Sequence, residues 1–223
     1  MKKIAYHLIT GNIVCISGLR IGGSDDLLQT GGTDLTCIKH PVTLQPYIPG
    51  SSLKGRLRSE MEQREGKVDR MPCGCGSRDC LVCRVFGPHA KTEHDLGPSR
   101  IIVRDAQFIA GDPQQNRITE RKTTTAIDRK TGAALHGSLR TEERVVAGSE
   151  FAFKLVLQIW NIDDICEFHD AAGKPHRGPS AVIEFLREAL RRVQRTGIGS
   201  GVSKGSGEIQ FRNLKLDGND FTL

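Results

Sequence analysis

The chain of 223 residues has room for one elaborated domain rather than two full ones, and its formal charge of +6, from 32 Lys+Arg against 26 Asp+Glu, is spread along its length. That excess permits nucleic acid without diagnosing it, because many basic proteins never touch a polynucleotide. No N-terminal apolar signal region appears, and no uncharged run approaches the roughly 18 residues of a membrane span; a cytosolic chain is expected, whose seven cysteines point to reduced thiols or metal rather than disulfides.

Residues Lys3 to Arg20 are rich in β-formers (Ile4, Tyr6, Ile13, Val14, Ile16) and predict a first strand, broken near Gly11. A glycine-rich loop, Gly22 to Pro46, follows with three aspartates. Asp25 and Asp26, flanked by Gly22-Gly23 and Ser24, have the composition of a solvated turn; Asp34 stands where glycines give way to Leu-Thr-Cys-Ile, so its backbone is the better fixed. Taken alone, each reads as a turn former, and Lys39 and His40 before Pro41 read as exposed loop residues. Pro49-Gly50 then marks a turn, with Ser51 or Ser52 expected to cap a helix whose apolar stripe is Leu53, Leu57 and Met61. Lys54 and Arg58, four apart, share a neighbouring face. Helix N–H groups, two hydroxyls and two cations together suit phosphate oxygens, although an ordinary capped surface helix has the same pattern.

Cys73, Cys75, Cys80 and Cys83 fall within eleven residues as C-x-C-x4-C-x2-C, with glycines where the chain must turn. Tetrahedral structural Zn²⁺ explains this best; an iron–sulfur cluster and free thiols are the alternatives, with His89 a substitute fourth ligand. Arg100 to Ile109 reads as a second strand. From Gly111 to Gly148 charges outnumber large apolar residues, so composition predicts a solvated insertion, with a turn at Ile127 to Gly132 that suggests a protruding hairpin. Phe151 to Trp160 alternates as a third strand, with Trp160 and Ile162 expected to cap the core. Pro179 to Arg195 is an amphipathic helix with Val182, Ile183, Phe185, Leu186, Ala189, Leu190 and Val193 facing inward. The glycine-rich run Gly197 to Gly207 lies between this helix and a last strand, Glu208 to Leu216, the reverse of a P-loop or dinucleotide fingerprint. The order β-α-β, insertion, β-α-β predicts an α+β, ferredoxin-like (RRM-type) core. With aromatics at 5%, base stacking on the sheet is not expected.

The run Gly31-Gly32-Thr33-Asp34, followed by Pro46-Tyr47-Ile48-Pro49-Gly50-Ser51-Ser52-Leu53-Lys54-Gly55-Arg56-Leu57-Arg58, resembles the signature of the RAMP superfamily. More narrowly it resembles the Csm-like backbone subunit of type III CRISPR effector complexes. Glu120-Arg121-Lys122, Ile127 to Gly132 and Glu143-Arg144-Val145 are similar to that family's β-hairpin thumb. The resemblance implies one RAMP domain over 1–223, with a zinc-binding insertion at 66–97 and a thumb at 111–148. It implies a subunit that lines up with copies of itself along crRNA, joins other type III effector subunits, and cleaves paired single-stranded target RNA at regular intervals. Ser51, Ser52, Lys54, Arg56, Arg58, Arg121, Lys122, Arg129, Lys130, Gly199, Gly201 and Lys204 become RNA contacts, and Asp34 the cleaving acid, with Mg²⁺ or Mn²⁺ as catalytic ion. Ser24 to Thr30 departs from the family as an insertion, so Asp25 or Asp26 is the alternative acid, and a non-catalytic crRNA scaffold the alternative function. Ser206 stands where relatives carry an aromatic or basic residue.

Overall fold

The computed structural model describes residues 1–22, 35–89, 92–111 and 117–223. Strand β1 (Lys3–Cys15) runs unbroken past Gly11. The expected break is instead a bulge, where a Cβ on Gly11 would lie 2.8 Å from the Arg212 carbonyl oxygen. After the loop, β2 (Tyr47–Ile48) leads into α1 (Gly50–Arg64), which buries Leu53, Leu57 and Met61 as its spacing predicts. A short helix, α2 (Leu81–Phe86), follows the first cysteines and is buried at every position. The second strand is two pieces, β3 (Ile101–Val103) and β4 (Ala106–Ala110), separated by Arg104-Asp105.

The charged insertion is not a solvated coil. β5 (Thr119–Thr124) and β6 (Arg140–Val145) pair in register from Thr119–Val145 to Thr124–Arg140, and an Ile127–Ala134 bridge extends the hairpin. Composition misled because a two-stranded arm needs little buried apolar surface once its base is fastened to the body. β7 (Glu150–Trp160) alternates as expected, burying Phe151, Phe153, Leu155, Leu157 and Ile159. A hairpin that the sequence pattern did not reveal, β8 (Glu167–His169) with β9 (Pro175–Arg177), precedes α3 (Pro179–Thr196). Its strands have three residues each, too few to show a period of two. β10 (Ile209–Leu216) and β11 (Asn219–Asp220) close the chain.

The sheet order is β11-β10-β1-β7-β4-β2, with β3 also on β7 and neighbouring strands antiparallel. Its central strands reproduce the 4-1-3-2 order of a ferredoxin-like β-α-β-β-α-β unit. α1 and α3 contact each other; α1 also packs on β3, and α3 on β7 and β10. The core is continuous from Ile9 and Ile13 of β1 through β7 to Phe185 and Leu186 of α3.

Candidate nucleic-acid interface and cysteine cluster

The start of α1 departs from expectation. The N-cap position falls on Pro49, with no side-chain cap bond, so neither Ser51 nor Ser52 caps the helix. The reason lies on another element: Asp105, in the gap between β3 and β4, accepts the Gly50 N–H at 2.7 Å. Gly50 is required there, since a Cβ would stand 2.4 Å from the Val103 carbonyl oxygen. Both serines consequently lie exposed in the first turn of the helix.

Ser52, Gly55, Arg56 and Ser59 of α1 line one wall of an open cavity of about 400 Å³, and Gly199 and Ser200 line the other. Two segments almost 150 residues apart in sequence thus meet across one groove. Lys54, on the same helix but not part of the lining, is half-buried, and burial together with the Arg58 charge lowers its pKa. Arg56 donates through Nε to the Gly197 carbonyl at 2.9 Å and pairs with Glu60 at 2.9 Å. Arg58 pairs with Glu62 at 2.8 Å and donates to the Cys73 carbonyl at 2.5 Å, so it ties α1 to the cysteine loop.

Gly199 has φ +80, and a Cβ there would lie 2.3 Å from the Arg20 carbonyl oxygen. Its glycine is therefore demanded by the chain's own backbone. Gly201, at φ +72, has more room, while Lys204 is exposed. Ser206 is buried and accepts from Arg144 Nη1 at 3.3 Å, so its side chain faces inward.

The hairpin is bolted to this groove at its base. Val145 and Leu19 exchange backbone bonds at 2.7 and 3.0 Å, and Lys122 Nζ donates to the Lys204 carbonyl at 3.1 Å. Arg144 pairs with Glu120 at 2.6 Å. Arg121 is exposed on β5, and Arg129 and Lys130 are exposed at the hairpin's far turn, where Asp128 accepts the Lys130 N–H at 2.7 Å. Asp34, with Asp25 and Asp26, lies outside the described residues. Its neighbour Leu35 accepts the Glu143 N–H at 2.8 Å, and Glu143 in turn accepts from Cys37 N at 3.1 Å and pairs with Lys39 at 2.6 Å. Burial would raise the Glu143 pKa, but Lys39 and the hydrogen bonds from Cys37 and Thr119 bring it below the usual glutamate value.

The four sulfurs of Cys73, Cys75, Cys80 and Cys83 lie within 4.8 Å of one another, with Sγ–Sγ separations of 3.6 Å (73–75 and 73–83), 3.7 Å (75–83) and 4.0 Å (73–80). A tetrahedron with Zn–S bonds of about 2.3 Å has edges of about 3.8 Å, so the set fits zinc. His89 is absent from the group; it instead gives its backbone N–H to the Cys73 carbonyl at 3.1 Å. Lys67 Nζ donates to Cys80 Sγ at 3.1 Å, a partner that offsets thiolate charge. Asp105, Glu60 and Lys67 are the neighbours that sequence reasoning missed, and it gives Glu143 no role beyond the hairpin. Only Glu60, four residues after Arg56, left a local signal.

The RAMP superfamily model matches residues 12–210. The chain belongs to the RAMP superfamily. Among curated RAMP relatives, the "CRISPR system Cms endoribonuclease Csm3" of Methanothermobacter thermautotrophicus is 33% identical over 97% of this chain and 87% of its own length. The protein of the same name from Methanocaldococcus jannaschii is 33% identical over 94% of this chain and 79% of its own. A chain from the crystal structure of a Csm3–Csm4 subcomplex in the type III-A CRISPR-Cas interference complex superposes with TM-score 0.57 at 25% identity, covering 97% of this chain and 80% of that one. Within the RAMP superfamily the chain is thus a Csm3-like backbone subunit, built on the same ferredoxin-like fold. No described helix is long and apolar enough to cross a membrane.

Proposed function

We propose that this chain is the repeating crRNA-binding subunit of a type III CRISPR interference complex and an endoribonuclease that cuts target RNA with a loop acid. The observation that carries the binding half is Gly55. It lies exposed within α1 on the groove wall, and a Cβ added to it would meet nothing within 4 Å. A mid-helix glycine costs about 0.5–1 kcal/mol relative to alanine. Among the described residues no packing repays that cost, whereas a sugar–phosphate strand lying against the helix would use the bare Cα.

In this reading Ser51, Ser52 and Lys54 meet the guide's phosphates, Arg56 and Arg58, each paired with a glutamate of α1, shape the same RNA-binding helix, and Gly199, Gly201 and Lys204 form the opposite wall. Arg121 and Lys122 continue the cationic track along the hairpin, and Arg129 and Lys130 at its far turn reach the RNA held by an adjacent copy. The arm distorts the paired target so that a ribose 2′-OH can attack the adjacent phosphate in line, expelling the 5′ oxygen and leaving a cyclic phosphate and a 5′-OH. Asp34 takes the 2′-OH proton. Other type III effector subunits cap the array in the cytoplasm, and each copy of this chain in it is one RAMP domain with insertions at 66–97 and 111–148. The cysteine cluster holds one structural Zn²⁺, which orders its loop and takes no part in the cut. Among the described residues it is the one group of three or more metal-ligating side chains, so a Mg²⁺ or Mn²⁺ requirement is tested directly, by titrating either ion into a chelated complex.

The deciding experiment replaces Asp34 with alanine in the assembled complex and follows cleavage of a guide-matched RNA. Loss of cutting with retained RNA binding is expected. Undiminished cutting moves the acid to Asp25 or Asp26, and a wild-type complex that binds but never cuts leaves the scaffold reading.

A further inference from the structure

Arg56 is tied up inside the protein. Its Nε donates to the carbonyl of Gly197, which follows the last residue of α3, at 2.9 Å, and its Nη2 stands 2.9 Å from Glu60 Oε1. Glu60 cannot reach solvent, its side chain being only 2% exposed. The same Oε1 accepts the Thr196 hydroxyl at 2.8 Å, and Oε2 lies 3.6 Å from Arg192 Nε. One guanidinium and one carboxylate therefore join the middle of α1 to the end of α3 and to the first residue of the glycine-rich loop. Gly197 is itself confined, because at φ +80 a Cβ would lie 2.5 Å from the Gly207 carbonyl oxygen. α1 and this loop both line the groove, together with Ile21, Gly22 and Ile48.

We propose that Arg56 and Glu60 form a clasp that sets the separation of the groove walls, so that Arg56 is a positioning residue rather than a phosphate contact. A phosphate that recruited this guanidinium would draw it from a buried carboxylate, leaving Glu60 with weaker compensation for its charge. Lys54, whose ammonium has no such carboxylate partner among the described ion pairs, is the direct contact on the same helix. The clasp rests on the groove being the RNA site, but its effect on the loop is observable without RNA.

Two measurements on the full-length chain decide it, using Arg56→Gln, Glu60→Gln and Lys54→Ala, with thermal melting to confirm that each variant folds. The first is amide hydrogen exchange over 197–207 in the absence of RNA; both clasp variants should exchange faster there than wild type, and Lys54→Ala should not. The second is the salt dependence of binding to single-stranded crRNA. Each lost phosphate contact lowers the slope of log K against log salt by about 0.7. Lys54→Ala should show that drop; Arg56→Gln and Glu60→Gln should weaken binding about tenfold at an unchanged slope. Arg56→Gln with wild-type exchange and a lowered slope overturns the clasp, as does Glu60→Gln that binds as well as wild type. Wild-type protein that ignores RNA at low salt refutes the groove as an RNA site, while the exchange data still judge the clasp. Should Glu60→Gln fail to fold, Arg56→Gln alone decides, since its side chain is 29% exposed and tolerates replacement.

Discussion

Arg100 and Asp163 are both fully buried and meet through Nε at 3.0 and 2.9 Å and Nη2 at 2.7 Å. Arg84, also buried, adds a 3.2 Å bond to the same carboxylate, which further accepts the Trp160 N–H at 2.8 Å. Two guanidiniums thus depend on one acid that links α2 to the end of β7. Removing one partner of a buried ion pair costs about 3–5 kcal/mol because the other charge is left uncompensated. Asp163→Ala should lose at least that much in urea unfolding, with cleavage surviving in whatever fraction stays folded. The cysteines separate by burial as well. Burial pushes Cys15 and Cys37 up to about 12 and Cys166 to about 11, so these thiols should resist iodoacetamide at pH 8 in the native protein. Mass spectrometry after chelation should find Cys75, exposed at the rim of the cluster, alkylated before them.

At the scale of elements, α1 sets stability against function. Gly55→Ala should stabilise the protein by about 1 kcal/mol, as any mid-helix glycine replacement does where φ allows it. The same change should weaken crRNA binding, and a variant that melts higher and binds equally well would remove the close-approach reading of Gly55. The stretch 66–79 ahead of α2 has the opposite design, since its large apolar side chains, Val68 and Met71, are exposed. Zinc at about 1,000 times its Kd would stabilise the fold by about 4 kcal/mol, so a strong chelator should lower the melting temperature and open residues 66–79 to protease, while α2 stays protected in the core. The β8–β9 hairpin carries its own acid dependence. The His176 hydrogen bond, with the backbone N–H groups of Lys174 and Ala172, holds the Asp170 pKa down to about 2. A depressed carboxylate stabilises the fold above its ordinary pKa and loses that contribution as pH falls through the folded value. Local amide protection in the hairpin should therefore decline between about pH 4 and pH 2.

For the molecule as a whole, the charged arm and the groove act as one unit because the arm's base, the glycine-rich loop and the flank of the acidic loop share hydrogen bonds. The far turn is different, being exposed and remote from the core. Arg129→Ala with Lys130→Ala should leave stability within about 0.5 kcal/mol yet weaken RNA binding by the assembled array, measured by the salt slope in the complex and in the lone chain.

What the residue order settled by itself was chemistry carried on short spans: four cysteines at ligand spacing, the Pro49 to Arg58 helix start with its cations, and the periodicities of β7 and α3. These are legible because spacing of a few residues already dictates which side chains share a face or a metal. The resemblance to the family is carried by the Gly31 to Arg58 run and by the hairpin residues around Glu120 and Glu143. Tertiary structure alone decided what depends on partners far away in the chain. Asp105 caps α1 in place of either serine, Glu60 and the Gly197 carbonyl engage Arg56 while Lys54 has no carboxylate partner among the described ion pairs, and Gly199 answers to Arg20. A basic residue in a helix carries no mark of whether its charge will be spent on a neighbour or kept for a ligand, because that is settled by which elements the fold brings within about 3 Å of it.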